Sequence, residues 1–175
     1  MTAPGRLWTR DPKNWIGVAC RLIIGGALLW AGLAKVGDLQ LSVQQVRDYD
    51  ILPFGLTRFV GSALPIGELV VGVLIVSGAF TRVMAALGSL LMAAYMAAIA
   101  SLWARGLVLD CGCFGAPGEV ADFAAARAGY IWDLLRDLVF LAAGVWLVWR
   151  PAAKPSLDQW LFQPLETDVE AIPPR

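Results

Sequence analysis

Long apolar segments constrain this chain more than any other feature. Four of them lie near residues 15–36, 59–80, 83–103 and 130–149, with more polar residues between them. About 20 apolar residues in a helix cross the hydrocarbon core of a bilayer. The chain is 58% hydrophobic and 16% charged, whereas soluble domains have about 25% charged residues. The sequence therefore predicts an all-α fold, a four-helix transmembrane bundle.

The connections between the spans carry further predictions. Residues 37–57 mix apolar side chains with polar ones such as Gln44 and Arg47, which predicts a short interfacial helix between spans 1 and 2. Pro53 is expected to end that helix. Only Thr81 and Arg82 separate spans 2 and 3, so these spans are expected to form a tight antiparallel hairpin.

Small residues recur every four positions in the third span, from Ala85 to Ser101. Such a stripe lets helix backbones approach closely in lipid. We therefore expect this face of the third span to pack against a neighbouring helix.

The spans define one membrane domain over residues 1–150, and residues 151–175 are expected to be a partly ordered cytoplasmic tail. The first apolar segment is too long for a cleaved signal peptide, so it is interpreted as a retained span. Lysine and arginine favour one side of the four-span topology, with Arg6, Arg10, Lys13, Arg82, Arg150 and Lys154 against Arg47, Arg58, Arg105 and Arg127. This bias predicts a multi-pass protein of the cell membrane with both termini in the cytoplasm.

Charge and histidine content exclude several functions. Basic and acidic residues number 14 each, so nothing favours nucleic-acid binding. The chain has no histidine, which removes histidine metal sites and histidine bases. Cysteine and carboxylate chemistry remain, and no metal site is predicted.

The candidate catalytic residues are Cys111 and Cys113, in the segment between spans 3 and 4 that is expected to face the extracytoplasmic side. A disulfide between cysteines two residues apart closes a small strained ring, and such bonds are the labile or catalytic ones. Gly112 and Gly115 supply the backbone freedom that a tight loop needs. The spacing therefore favours thiol–disulfide exchange.

Two other interpretations of this cysteine pair stay open. The cysteines could form half of a metal site, although a tetrahedral site needs four ligands, or they could be inert buried thiols. Cys20 lies near the cytoplasmic end of span 1, about 30 Å from the loop, and is interpreted as an apolar filler.

Charged residues inside or at the edge of spans mark a second candidate site. They are Arg21, Lys35, Glu68, Asp133, Arg136 and Asp137. A charge costs at least about 2.5–3.5 kcal/mol in a span, so pairing within the bundle is expected, with a Glu68–Arg136 ion pair and with Asp133 and Asp137 as neighbours of Arg136 on one helix face. We predict a polar cavity beneath the cysteine loop formed by Lys35, Glu68, Arg136 and Asp137. Its charges either fix helix register or serve quinone binding or proton relay.

Several short motifs in a fixed order resemble the MauE family of methylamine-utilisation membrane proteins, within the broader DoxX-like group. They are Arg21 with Ala31-Gly32-Leu33-Ala34-Lys35, Tyr49-Asp50-Ile51-Leu52-Pro53, Leu64-Pro65-Ile66-Gly67-Glu68, Cys111-Gly112-Cys113-Phe114-Gly115 and Arg136-Asp137. The resemblance implies a four-span protein that assists production of methylamine dehydrogenase, whose disulfide-rich small subunit matures outside the cytoplasm.

The leading hypothesis is accordingly a membrane thiol–disulfide oxidoreductase or maturation factor in which Cys111 and Cys113 cycle between dithiol and disulfide. Its expected partners are membrane lipid and a thioredoxin-like or disulfide-rich extracytoplasmic protein, and a quinone is the candidate electron acceptor. The alternatives are a non-enzymatic membrane subunit or scaffold and a small transporter that uses the Glu68 region.

Overall fold

The computed structural model describes residues 12–107 and 123–150, and all the regular structure within these ranges is helical. In chain order the helices are α1 (Pro12–Val36), α2 (Leu39–Asp48), α3 (Phe54–Ser77), α4 (Thr81–Ala104) and α5 (Phe123–Trp149). The prediction of an all-α fold is confirmed for these residues.

Three of the helices are long and apolar enough to cross a membrane. They cover Asn14–Val36, Phe54–Ser77 and Thr81–Ala104. Large apolar side chains such as Trp30, Phe59 and Leu90 are exposed on their outer surfaces, as expected for contact with lipid. These helices indicate a membrane protein. Helix α5 is long enough but is not among the three, and it carries several charged residues.

Several helix ends differ from the sequence prediction, and α5 begins at Phe123 rather than near residue 130. Helix α2 ends at Asp48, and Pro53 instead precedes the first residue of α3 with a φ of −58°, which suits the start of a helix. Helix α3 ends at Ser77 and is capped by Gly78, whose φ of 74° is left-handed and favours glycine. The turn between α3 and α4 thus lies at residues 78–80, and Thr81 opens α4.

Helix α2 rests directly on α3. The Asp38 side chain caps its first turn by accepting a hydrogen bond from the Leu41 amide at 3.0 Å. The Ser42 hydroxyl donates to the Gly61 carbonyl at 2.8 Å, and a Cβ added at Gly61 would lie 2.5 Å from the Val43 Cα. The predicted short helix is therefore present, while its location at the membrane interface stays a prediction.

Glycines bring α1 and α3 into close contact. A Cβ added at Gly32 would lie 2.9 Å from the Pro65 carbonyl oxygen, and one added at Gly72 would lie 3.0 Å from the Gly25 carbonyl oxygen. Both distances are too short for a real side chain, so the two backbones touch. Helix α3 runs through Pro65 without ending.

The prediction that the small residues of α4 pack against a neighbouring helix is correct only near the start of the helix. Ala85 is fully buried and Ser89 lies against Gly144 of α5, but Ala93 and Ala97 are exposed. A step of four residues turns about 40° beyond a full helical turn, so the stripe rotates away from the neighbouring helix.

Two apolar clusters form the core. The large apolar cluster comprises Ile24, Leu28, Val71, Ile75, Ala85, Met92, Ala143 and Leu147. The small apolar cluster comprises Ile99, Leu102, Ala126 and Tyr130. Because the second cluster joins the end of α4 to the start of α5, the two clusters occupy different levels along the helices.

Candidate functional site: a buried polar layer and an adjoining cavity

Polar and charged side chains lie between the two apolar clusters. On α4, Tyr95 falls between Met92 of the large apolar cluster and Ile99 of the small one, and on α5 Asp137 falls between Tyr130 and Ala143. We call this set the polar layer. Its members are Lys35, Glu68, Tyr95, Asp133, Arg136 and Asp137.

The centre of the polar layer is an ion pair between α1 and α3. Lys35 Nζ lies 3.1 Å from Glu68 Oε1 and 3.3 Å from Oε2. The Lys35 side chain is 6% exposed and that of Glu68 is 0% exposed. The Tyr95 hydroxyl of α4 donates a short hydrogen bond to Glu68 Oε1. Glu68 therefore joins three helices.

A second group of charges lies on α5. Arg136 Nη1 is 2.9 Å from Asp133 Oδ1, and Arg136 Nη2 is 3.2 Å from Asp137 Oδ1. Asp137 is fully buried, and its other oxygen, Oδ2, accepts no hydrogen bond within the described part of the chain. A buried carboxylate oxygen without a donor is costly, so this atom is a natural place for a proton or a water molecule.

The two groups interact electrostatically. Asp137 interacts with Lys35 of α1 as well as with its neighbours on α5, and Tyr95 interacts with both Glu68 and Asp137. The polar layer is therefore one connected set of titratable groups contributed by α1, α3, α4 and α5.

The predicted Glu68–Arg136 ion pair is wrong. Glu68 pairs with Lys35. Helices α1 and α3 touch where Gly32 meets Pro65, and Lys35 and Glu68 each follow that contact by three residues in their own helix. Because helical side chains tilt toward the N-terminus, the two side chains meet beside the contact. Arg136 instead contacts the carboxylates of its own helix.

A cavity of about 260 Å³ adjoins the polar layer. Five polar residues, Lys35, Ser42, Gln45, Tyr49 and Tyr95, and seven apolar residues line it. The walls come from the end of α1, from α2 and the residues after it, and from α3 and α4. Of the four residues predicted to form a polar cavity, Lys35 lines this one, whereas Glu68, Arg136 and Asp137 do not.

The predicted catalytic residues, Cys111 and Cys113, lie outside the described residues. The described chain stops at Leu107 and resumes at Phe123. The end of α4 packs against the first half of α5 in the small apolar cluster, and the Tyr130 hydroxyl of α5 donates to the Leu107 carbonyl at 2.8 Å. Arg105 donates to the Tyr49 carbonyl next to the cavity, so the cavity and both flanks of the cysteine segment lie at one end of the bundle.

Tyr95 is the principal residue that sequence analysis did not identify. It is the only tyrosine in the third predicted span, and a single phenol in an apolar helix usually needs a hydrogen-bond partner when buried. Lys35 Nζ also lies 5.2 Å from the centre of its ring.

Two other residues that sequence analysis named, Arg21 and Cys20, lie in packing contacts away from the cavity. Arg21 is buried and donates to the Thr81 hydroxyl at 3.4 Å, where α4 begins. Cys20 is a free thiol that packs beside the large apolar cluster, in agreement with its interpretation as an apolar filler.

The comparison with known families decides the classification. The family described as "Methylamine utilisation protein MauE" matches residues 13–150. The chain belongs to the MauE family. No curated protein and no solved structure matches the chain. Membership of the MauE family, together with the three apolar helices, indicates a membrane protein with a role in methylamine utilisation.

Proposed function

We propose that this MauE-family protein spans the membrane four times and assists thiol–disulfide exchange outside the cytoplasm, through Cys111 and Cys113, during maturation of a partner such as methylamine dehydrogenase. The observation that carries the proposal is the family match over residues 13–150. That range includes the Cys111-Gly112-Cys113 segment and the whole polar layer.

The exposed surface of α5 supports a fourth span. Trp132, Leu135, Leu138 and Val139 are at least half exposed, whereas Asp137 is fully buried. Asp133 and Arg136 are largely turned inward and pair with one another. A helix with apolar residues outside and paired charges inside can lie in lipid. In this arrangement α2, packed on α3, is the interfacial helix.

In the proposed topology α4 crosses the membrane between the short turn at residues 78–80 and the cysteine segment, so the two lie on opposite sides. The distribution of lysine and arginine favours a cytoplasmic location for the termini and that turn. Cys111 and Cys113 then face the oxidising compartment in which disulfides form and persist.

The exchange reaction balances without a metal. A client dithiol attacks the Cys111–Cys113 disulfide through a mixed disulfide, which leaves the client oxidised and the pair reduced. The reduced pair then gives two electrons and two protons to a quinone, which becomes a quinol, and the disulfide forms again. With one cysteine pair in the chain, a thioredoxin-like partner is the natural intermediary to clients that the pair does not reach.

The test is replacement of both loop cysteines in cells that make methylamine dehydrogenase. Cys111→Ser/Cys113→Ser is expected to leave the small subunit of that enzyme with free thiols, which alkylation detects as a mass shift. Cys20→Ser is the matched control and is expected to leave the subunit fully oxidised, because Cys20 packs beside the large apolar cluster.

Unchanged oxidation of the subunit in the double variant, with the membrane protein present at its normal level, would contradict the exchange function and favour the scaffold. Labelling of Cys111 and Cys113 in intact cells by a membrane-impermeant maleimide, after reduction with a membrane-impermeant phosphine, tests the sidedness. Labelling only after the cells are opened would contradict the extracytoplasmic location.

A further inference from the structure

We propose that the cavity between α2, α3 and α4 binds the ring of a neutral, lipid-soluble carbonyl compound of the quinone class. Its role as electron acceptor rests on the proposed function. The binding itself is a separate property of the described residues.

The size and lining of the cavity suit a single apolar ring. Its volume is about 260 Å³, slightly below the roughly 300–1,000 Å³ of pockets for drug-sized ligands. Apolar side chains such as Leu52, Val60, Leu64 and Ala98 form most of its wall. A ring fits this space, and a long tail would have to extend from it along the apolar outer surface of the helices.

Lys35 supplies a hydrogen-bond donor at the inner end of the cavity. An ammonium group has three N–H donors, and Glu68 accepts from Lys35 Nζ at 3.1 and 3.3 Å through its two oxygens. The remaining donor belongs to a side chain that lines the cavity. A carbonyl oxygen of the ligand is the group that would accept from it.

The charges favour a neutral ligand over an anionic one. Glu68 neutralises Lys35 directly, with Nζ 3.1 Å from Oε1. An anionic lipid headgroup would therefore meet no unbalanced positive charge on Lys35. A ring carbonyl needs only the donor, and the Tyr95–Glu68 hydrogen bond beside it is a route by which a proton could reach a reduced ring.

The position of the cavity suits electron transfer from the loop thiols. Tyr49, in the cavity wall, accepts through its carbonyl from Arg105, near the point where the described chain stops at Leu107. Cys111 follows Leu107 by four residues, and four residues span at most about 14 Å when extended.

The experiment measures binding of a tritium-labelled decyl-benzoquinone to the full chain in nanodiscs by equilibrium filtration. Ala98→Phe fills the cavity and is expected to weaken binding at least about tenfold, the equivalent of about 1.4 kcal/mol. Ala97→Phe is the matched control, because Ala97 is the adjacent residue of α4 and is exposed. It is expected to keep the wild-type affinity.

A second variant covers a failure of Ala98→Phe to fold. Lys35→Met/Glu68→Met removes both buried charges together, a change that proteins often tolerate, and it is expected to weaken quinone binding about tenfold through loss of the donor. Unlabelled decylbenzene, which lacks carbonyls, is expected to compete poorly.

Equal affinity of wild type, Ala98→Phe and the double variant would overturn the proposal. Equal competition by decylbenzene would also overturn it and indicate a groove for lipid chains. If an anionic phospholipid displaces the labelled quinone more effectively than unlabelled quinone does, the cavity is a headgroup site and the proposal of a neutral ligand is contradicted. The quinone-binding assay involves no thiol. The thiol-exchange function could therefore fail in the cysteine variants while quinone binding is unchanged.

Discussion

The large apolar cluster and the polar layer occupy adjacent levels of the same helices, yet different interactions hold them together. In the large apolar cluster, side chains such as Ile24, Ile75 and Met92 are fully buried, and glycines let α1 and α3 touch. In the polar layer, the same two helices are joined by the Lys35–Glu68 ion pair. Close packing alone could hold α1 and α3 together at both levels. The buried charges are therefore the part of the core that packing does not explain.

The largest expected effect comes from breaking that ion pair. Lys35→Met leaves Glu68 as a buried charge that keeps only the hydrogen bond from the Tyr95 hydroxyl among the described contacts, and we expect the unfolding free energy to fall by about 3–5 kcal/mol. SDS titration in mixed micelles measures this change.

The matched comparison is Lys35→Met/Glu68→Met, which is expected to recover most of the loss because no charge remains unpaired. If the single variant is as stable as the wild type, the polar layer does not depend on this pair and the contrast between the two levels disappears.

A smaller loss of stability is expected from a substitution beside the large apolar cluster. Gly72→Ala places a methyl group 3.0 Å from the Gly25 carbonyl oxygen and 2.9 Å from Leu29 Cγ, and overpacking of this kind costs about 1–3 kcal/mol. Gly26→Ala is the control, since a Cβ there meets no atom within 4 Å, and it should keep or raise the unfolding free energy, by up to about 1 kcal/mol, because alanine favours a helix over glycine. Equal changes in the two variants would mean that close packing at Gly72 does not matter, because helix propensity favours alanine at both positions.

The smallest effect concerns the cavity wall. Ser42→Ala removes the hydrogen bond from α2 to the Gly61 carbonyl and is expected to cost about 1 kcal/mol. Ser77→Ala removes a bond within one helix, from its hydroxyl to the Leu74 carbonyl. Faster hydrogen exchange across α2 in the first variant and not in the second would identify Ser42 as the attachment of this helix.

The sequence predicted the positions of the helices better than the contacts between them. Apolar segment length locates α1, α3 and α4 well, because a bilayer span requires it. Charge type also identified Lys35, Glu68 and Asp137 as buried, and helical spacing identified Asp133 and Asp137 as the neighbours of Arg136. The partner of Glu68 was missed, because pairing between helices depends on which helices touch, and that is decided by glycines such as Gly32 whose contacts no local pattern reveals.

Two further features could not be predicted for the same reason. The small-residue stripe indicated a packing face on α4 but not its rotation, so Ala97 turned out exposed. Tyr95 lies in an otherwise apolar helix, and its role became visible only beside Glu68.

The contact between Ser42 and Gly61 has a mechanical consequence. At Gly61 the backbone of α2 lies on the backbone of α3 without an intervening side chain, so α2 cannot slide sideways without carrying α3 with it. The cavity therefore has one stiff side, where α2 meets α3, and any change in its width would come from the walls that α1, α4 and the residues after Asp48 supply.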